Sequence, residues 1–361
     1  MDIIFNNSES NSIGLELEVR ILDKNTLGVK NCSNIVFESI DDALKPHIHQ
    51  ELMNSMFEVV TPVCKDANEA VDFIDTALQK IKKIGEKNDF LIAALATHPF
   101  EVTEDNEIIS DPRYLEFEEE FQVIIRNFLI SGLHIHVGLE DENMAIKVYN
   151  SMINYIPLFL ALSVNSPFLH ARDSGLSSYR TKIFDKLPRA GVPEYIESFE
   201  EYKMIHNELH SGGAIKKVKD IWWDIRLSPG FGTIELRVCD AFFDKDRLRF
   251  VAMLYQSLIE YSKINPSKRA FHQVNLQNKW NATRYGMKGV FIEDGEPIPI
   301  RKKIKLLIEE MGEMGIFKKL GIEKDIRDLK YIIDNPSLAQ VLRETYNKTK
   351  DFKEVIKLGV I

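Results

Sequence analysis

Three segments of the chain alternate apolar and polar side chains with a period of two, which predicts β-strands. They are IGLELEVRILD at 13–23, SGLHIHVGLE at 131–140 and GTIELRVCD at 232–240. Their polar positions include six ionisable residues: Glu16, Glu18, His134, His136, Glu235 and Arg237. The pattern therefore predicts strands that bury one face and present titratable groups on the other.

The rest of the pattern predicts a mixture of helices and further strands. Short apolar segments at 57–61, 90–96 and 220–226 are typical of strands. Apolar positions three and four residues apart predict helices at 66–88, 112–127, 141–155, 193–209, 247–264, 301–319, 325–334 and 337–348. Asp66 is the expected N-cap of the first helix. The acidic run at 116–120 is expected to be a solvated helix face, and 165–178 a long loop.

Composition excludes several classes of protein. The 361 residues can bury a sizeable core, and 46 basic against 55 acidic residues give a formal charge of −9. That charge argues against nucleic acid or an anionic membrane as the main partner. The apolar run at 155–164 is too short to span a bilayer, and no signal peptide is expected. The three cysteines are widely spaced, so we expect no disulfides and a cytoplasmic location.

The polar strand faces favour a metal or phosphate site, with a plain solvated sheet face as the alternative. If the three strands share one antiparallel sheet, their polar faces converge on a groove. Glu51 and Glu58, which flank the strand at 57–61, would bring the groove to five carboxylates. Like charges in such a groove cannot all remain ionised without compensation. Two or three hard cations, Mg²⁺ or Mn²⁺, would compensate them, and such ions with arginines serve in handling nucleotide phosphate.

Six sequence blocks together resemble the carboxylate-amine ligase family, also called glutamate-cysteine ligase type 2. The blocks are GLELE, ELMNSMFEVVTPVC, ATHPF, SGLHIHVG, NSPF…ARDSGLSSYR and IWWDIRLSPGFGTIELRVCD, from about Gly14 to Asp240. The resemblance implies an α+β fold like glutamine synthetase, a curved antiparallel sheet flanked by helices. It implies one catalytic domain over 1–361, with the sheet-forming motifs within 13–240 and a mainly helical part at 241–361.

The resemblance also implies a role for individual residues. The implied metal ligands are Glu16, Glu18, Glu51, Glu58, His134 and Glu235. Arg237 and Glu58 are the implied catalytic residues, with Arg237 facing the transferred phosphate. Arg226, His136 and Trp223 are assigned to the nucleotide, and Arg180 and Arg172 to the substrate. Gly230 stands where relatives are expected to carry arginine, which puts the usual substrate pair in question.

The implied reaction is ATP-dependent joining of glutamate to an amine, with cysteine as the family's named acceptor. ATP would phosphorylate the γ-carboxylate, and the amine would displace phosphate to leave an amide and ADP. Glu58→Gln or Glu235→Ala is expected to abolish ADP release and keep the fold. The expected partners are small molecules and a second copy of the chain, not nucleic acid or a membrane. Two alternatives are an HxH metal-dependent amidohydrolase and an inactive nucleotide-binding homologue.

Overall fold

A seven-stranded antiparallel sheet lies at the centre of the computed structural model, which describes residues 1–361. Its strands are β1 (Ile13–Asp23), β2 (Ile48–Gln50), β3 (Met56–Val60), β4 (Phe90–Ala93), β5 (Gly132–Gly138), β10 (Ile225–Ser228) and β11 (Thr233–Asp240). The order is β10-β11-β5-β1-β3-β2, and β4 also pairs with β1. The three strands predicted from alternation are therefore direct neighbours.

Small strand pairs lie outside this sheet. They are β6 (Phe168–Leu169) with β7 (Arg172–Asp173), β8 (Ala190–Gly191) with β9 (Trp222–Trp223), and β12 (Val290–Glu293) with β13 (Glu296–Pro299). The β8–β9 pair is parallel and the other two are antiparallel hairpins.

Fifteen α-helices accompany the strands. They are α1 (Ser33–Ser39), α2 (Ala67–Asn88), α3 (Pro112–Phe121), α4 (Val123–Arg126), α5 (Glu142–Ile153), α6 (Ile156–Ser163), α7 (Arg180–Phe184), α8 (Phe199–Ser211), α9 (Lys245–Ile264), α10 (His272–Tyr285), α11 (Ile300–Glu313), α12 (Ile316–Leu320), α13 (Glu323–Leu329), α14 (Leu338–Thr349) and α15 (Phe352–Lys357). None of them is long and apolar enough to cross a membrane.

One face of the sheet is buried under helices. The apolar side chains of β1, such as Leu15, Leu17 and Val19, are fully buried, as are Leu133 and Ile135 of β5. Helices α2, α5, α6 and α9 contact this sheet. The side chains belong to a hydrophobic core of 78 buried residues that extends from Ile3 to Ala339. Because side chains alternate along a strand, burying this face directs the titratable residues to the opposite one.

Helix α2 shows how local sequence sets the boundaries of an element. Asp66 caps it by accepting a hydrogen bond from the backbone N–H of Glu69 at 2.9 Å, as the sequence predicts. Its buried side chains recur at three- and four-residue intervals, from Ala67 to Ile81. Asp89, with a φ of 58°, ends the helix in the left-handed conformation.

Several predicted elements differ from the structure. The helix expected at 193–209 begins only at Phe199, because Ser198 caps it by accepting from a backbone N–H. The helix expected at 112–127 is broken at Gln122, whose φ is 50°. The expected loop at 165–178 contains the β6–β7 hairpin.

The C-terminal part is mainly helical, but helices α10 and α15 and the β12–β13 hairpin were not predicted. Helix α10 was missed because four of its five buried side chains are polar, which hides the helical apolar pattern. The β12–β13 hairpin occupies a segment expected to be only a joint. The predicted fold class, an antiparallel sheet flanked by helices, is confirmed. The single domain over 1–361 stays a prediction.

Candidate active site

The strand register brings the predicted acids and histidines together on the open sheet face. Glu16 on β1 lies opposite His134 on β5, and Glu18 lies opposite Glu58 on β3. On the other side of β5, His136 lies opposite Glu235 on β11. Residues directly opposite in antiparallel strands have neighbouring side chains on one face. These residues, with Glu51 before β3, are called the acid cluster below.

Glu16 links the two histidines of the acid cluster. One of its carboxylate oxygens lies 3.0 Å from Nδ1 of His134, and the other lies 3.0 Å from Nε2 of His136. The other ring nitrogen of His136, Nδ1, lies 2.9 Å from the hydroxyl of Thr233. Nε2 of His134 is buried without a hydrogen-bond partner. That nitrogen lies 3.7 Å from a carboxylate oxygen of Glu18, whereas Nδ1 is the ring nitrogen that faces Glu16 and Glu58.

Three overlapping sets of side chains have the geometry of a cation site. Within each set, one ligand atom per residue lies within 4.8 Å of the others. The sets are Glu16, His136 and Glu235; Glu16, Glu58 and His134; and Glu18, Glu51 and Glu58. Carboxylate oxygens with at most one imidazole nitrogen suit Mg²⁺ or Mn²⁺. All six predicted metal ligands are present in these sets, and His136, predicted for the nucleotide, joins them.

The electrostatics divides the acid cluster into a compensated and an uncompensated half. Burial alone would raise the pKa of Glu235, but Arg226 and Arg237 outweigh it and hold that pKa well below its usual range. Burial, followed by repulsion from Glu18, raises the pKa of Glu51 to about 8. Burial and neighbouring carboxylates also raise the pKa of Glu58. Protein charges therefore do not neutralise the Glu51–Glu58 half, which fits divalent cations there.

The two arginines near Glu235 differ in how many of their hydrogen-bond donors are already engaged. Nε and Nη2 of Arg226 bind the Glu235 carboxylate at 2.6 and 3.3 Å, and its Nη1 donates to two backbone carbonyls. Arg237 contacts Glu235 through Nη1 only, and its buried Nε has no partner. Arg237 therefore keeps donor capacity for a ligand, whereas Arg226 mainly holds Glu235 in place.

A cavity of about 200 Å³ lies over the uncompensated half of the acid cluster. Its polar floor includes Glu16, Glu18, Glu51, Glu58, His134 and Arg237. Five aromatic rings, here called the aromatic wall, also line it: Tyr114, Phe117, Phe128, Phe184 and Trp222. Its lining also includes the basic residues Arg113, Lys219 and Arg226. We refer to it as the aromatic cavity.

A second groove, of about 170 Å³, lies on the other side of Glu16 and His136. Its lining includes Thr61, Thr233 and two largely exposed apolar side chains, Val63 and Phe231. We call it the Phe231 groove. Glu16 lines both spaces, so the acid cluster lies between the groove and the aromatic cavity.

Three predicted binding residues do not line either space. Arg180 is 2% exposed and donates to the backbone carbonyls of Arg237 and Val238, both at 3.3 Å. A Cβ at Gly132 would overlap its guanidinium, so Gly132 leaves room for it. Arg180 thus supports the strand that carries Arg237. Arg172 is exposed on the β6–β7 hairpin.

The third is Trp223, which packs against Tyr149 and His206. Its neighbour Trp222 lines the aromatic cavity instead. The sequence contained the signal for this, because residues an even number of positions apart on a strand point to the same face. Trp222 is four residues from Arg226, which also lines the cavity, whereas Trp223 is two and four residues from the buried Ile225 and Leu227. The alternation therefore assigns Trp222, not Trp223, to the site.

Sequence reasoning also missed the contribution of α3. This helix was expected to be a solvated acidic face, but its Tyr114 and Phe117 belong to the aromatic wall. These two and Phe121 recur at the spacing i, i+3 and i+7, which is a helical apolar stripe. The other histidines do not join the metal sets, so the amidohydrolase alternative gains no further ligands.

Comparisons with known proteins agree with this geometry. The model of glutamate-cysteine ligase family 2 matches residues 12–355. A Solibacter usitatus protein named "Putative glutamate--cysteine ligase 2" is 34% identical over 359 residues, covering 96% of this chain and 91% of that protein. A Thermobifida fusca protein of the same name is 31% identical, covering 90% of this chain and 84% of its own length.

Solved structures with low sequence identity share the fold. A bifunctional glutathione synthetase from Pasteurella multocida aligns with a TM-score of 0.73 at 14% identity, covering 97% of this chain and 52% of that one. A glutamate–cysteine ligase from Francisella tularensis, in complex with AMP, aligns with a TM-score of 0.69 at 12% identity and covers 98% and 89%. The chain therefore belongs to glutamate-cysteine ligase family 2, and it is an ATP-dependent carbon–nitrogen ligase of the carboxylate-amine type.

Proposed function

We propose that this ligase activates the γ-carboxylate of glutamate with ATP and joins it to an amine. The observation that supports this most is the position of the acid cluster, between two separate spaces on one sheet face. A nucleotide entering from one side and a carboxylate with its amine from the other would meet over the acids. Glutamate as the donor is supported by the names of the relatives.

The Phe231 groove is the proposed nucleotide site. Its exposed Val63 and Phe231 offer apolar surface to a purine ring, and His136 and Thr233 offer polar contacts beside them. The aromatic cavity is then the proposed site of the carboxylate and the amine. Two or three Mg²⁺ or Mn²⁺ ions are proposed, held by the three ligand sets. When bound, they would neutralise phosphate charge and hold the reacting groups in line.

The reaction is a phosphoryl transfer followed by an acyl transfer. An oxygen of the γ-carboxylate attacks the γ-phosphorus of ATP, and the bond from that phosphorus to the bridging oxygen breaks, releasing ADP. The amine nitrogen then attacks the acyl carbon, and phosphate leaves with the electron pair of the C–O bond. Arg237, with its free Nε, stabilises the equatorial oxygens of the transferred group. Glu58 accepts the proton that the amine loses.

Trapping with hydroxylamine tests this proposal independently of the natural amine. Incubation with ATP, glutamate, hydroxylamine and Mg²⁺ should yield γ-glutamyl hydroxamate and ADP in equal amounts, and EDTA should stop both. Glu58→Gln should reduce the rate by at least about 100-fold, whereas Glu86→Gln, an exposed change on α2, should not. Nucleotide binding without any hydroxamate would contradict the proposal and favour the inactive-homologue alternative.

Cellular location and assembly also remain proposals. A reducing cytoplasm is supported by three buried cysteines that are all free thiols. The homodimer rests on the family resemblance.

A further inference from the structure

The aromatic wall is larger and more apolar than glutamate and cysteine require. Ten of the nineteen residues that line the aromatic cavity are hydrophobic. Besides the five rings, the apolar lining residues are Leu52, Met56, Ile125, Ile130 and Leu187. Both carboxylates of glutamate and its amine need polar partners. If only polar substrates occupied the cavity, much of this apolar surface would therefore stay in contact with water.

The rings of the wall are fixed by contacts with one another. Phe117 meets Trp222 edge-to-face, with 5.4 Å between ring centroids, and Phe128 meets Phe184 at 5.3 Å. The hydroxyl of Tyr114 donates to the backbone carbonyl of Gln50 at 3.1 Å, so its polar end is already satisfied. Rings fixed before a ligand arrives lose little conformational entropy when they bind it.

Two aliphatic residues that belong to one apolar cluster with Tyr114, Phe117 and Trp222 of the aromatic wall lie beside the acids that would surround the attacking amine. Met56 precedes Glu58 by two residues on β3, so their side chains share a face, and Leu52 follows Glu51 in the segment before β3. All four residues line the aromatic cavity. An amine nitrogen close to Glu51 and Glu58 therefore carries its remaining atoms toward the wall.

We propose that the acceptor is a primary amine with an aromatic body, which packs against the aromatic wall while its nitrogen attacks the activated carboxylate. This inference rests on the proposed function, whose bond changes it leaves unaltered. Two sources share this chemistry: an aromatic amino acid and an aromatic amine without a carboxylate. Arg113 and Lys219 lie near one another in the lining, and they would favour the amino acid through its carboxylate.

A competition between acceptors tests the inference on the unmodified enzyme. Initial rates of ADP release are measured with glutamate, ATP and Mg²⁺ and with L-phenylalanine, phenethylamine, L-cysteine or L-alanine as acceptor. At least one aromatic acceptor should exceed cysteine and alanine by about ten-fold or more in kcat/KM, since each buried methylene discriminates by about ten-fold. Whichever aromatic compound is favoured identifies the source. A rate with cysteine equal to or above both aromatic acceptors overturns the inference.

Hydroxylamine separates failure of the inference from failure of the proposed function. Hydroxamate formation without preference for aromatic acceptors overturns only the inference. Absence of hydroxamate overturns both.

A pair of tryptophan substitutions tests the wall directly. Trp222→Ala should lower kcat/KM for the favoured aromatic acceptor, relative to that for hydroxylamine, by about ten-fold or more, chiefly through KM. Trp280→Ala is the matched control, because Trp280 is 40% exposed on α10 and outside both spaces. An unchanged ratio in Trp222→Ala, with hydroxamate formation still measurable, overturns the inference.

Discussion

The crowding of carboxylates makes a prediction that requires no substrate: Glu51→Gln should stabilise the metal-free protein. The pKa of Glu51 is raised to about 8 from 4.5, chiefly by burial and by Glu18. Between these two values the native state holds a proton that the unfolded state has lost, so stability falls as the pH rises and the loss is complete above pH 8.

The magnitude follows from the size of this shift. At about 1.4 kcal/mol per pKa unit, a rise from 4.5 to about 8 corresponds to about 5 kcal/mol. Glu51 retains partial contact with solvent, which screens about half of this energy. Glu51→Gln should therefore raise the free energy of unfolding by about 2 kcal/mol at pH 8 in EDTA, and by much less at pH 5.

Urea unfolding followed by tryptophan fluorescence would measure this effect. In millimolar Mg²⁺ the wild type should become more stable than Glu51→Gln, because the wild-type site binds the ion more tightly and gains stability by mass action. Glu86→Gln, an exposed change of the same chemistry, should follow the wild type under all conditions. The reasoning would be refuted if Glu51→Gln were no more stable than wild type in EDTA at pH 8. It would also be refuted if Mg²⁺ raised the free energy of unfolding of both proteins equally.

Three further predictions concern stability. Glu235→Gln should lower the free energy of unfolding in urea by about 3–5 kcal/mol, because Arg226 and Arg237 lose their buried counter-charge. A loss below about 1 kcal/mol would contradict this prediction. Glu58→Gln is therefore the better test of catalysis. Burial lowers the pKa of His98 to about 3, and both its ring nitrogens already contact backbone groups. Below pH 6.5 the unfolded chain binds a proton at His98 that the native state does not bind, so the free energy of unfolding should fall by up to about 1.4 kcal/mol per pH unit. In His98→Gln the free energy of unfolding should fall less steeply with decreasing pH. Asp66→Ala should remove about 1 kcal/mol by deleting the N-cap of α2, measured as a lower urea midpoint at an unchanged m-value.

The alternation of side chains was sufficient to predict the members of the acid cluster that lie on β1, β5 and β11. Because the strand period is two, the apolar residues of β1, β5 and β11 determine which side chains point away from the core. The acids and histidines therefore had to share a face once these strands paired. The sequence did not determine the strand order or the register, which place Glu16 between His134 and His136.

The cavity walls were less predictable, because they come from distant segments. The aromatic wall combines α3, the segment after α4, α7 and β9, and no local pattern states that these meet. Arg180 illustrates a related limit. An arginine in a polar, glycine-containing loop resembles an anion site, but its burial against the backbone of β11 depends on the space left by Gly132.

The transfer of a labelled oxygen tests the central claim most directly. Glutamate carrying ¹⁸O in its γ-carboxylate is incubated with the enzyme, ATP, Mg²⁺ and hydroxylamine, and the released inorganic phosphate is analysed by mass spectrometry. Activation of the carboxylate by phosphorylation predicts one ¹⁸O atom in each phosphate, because the C–O bond breaks when the amine attacks. Phosphate released without ¹⁸O would contradict the account.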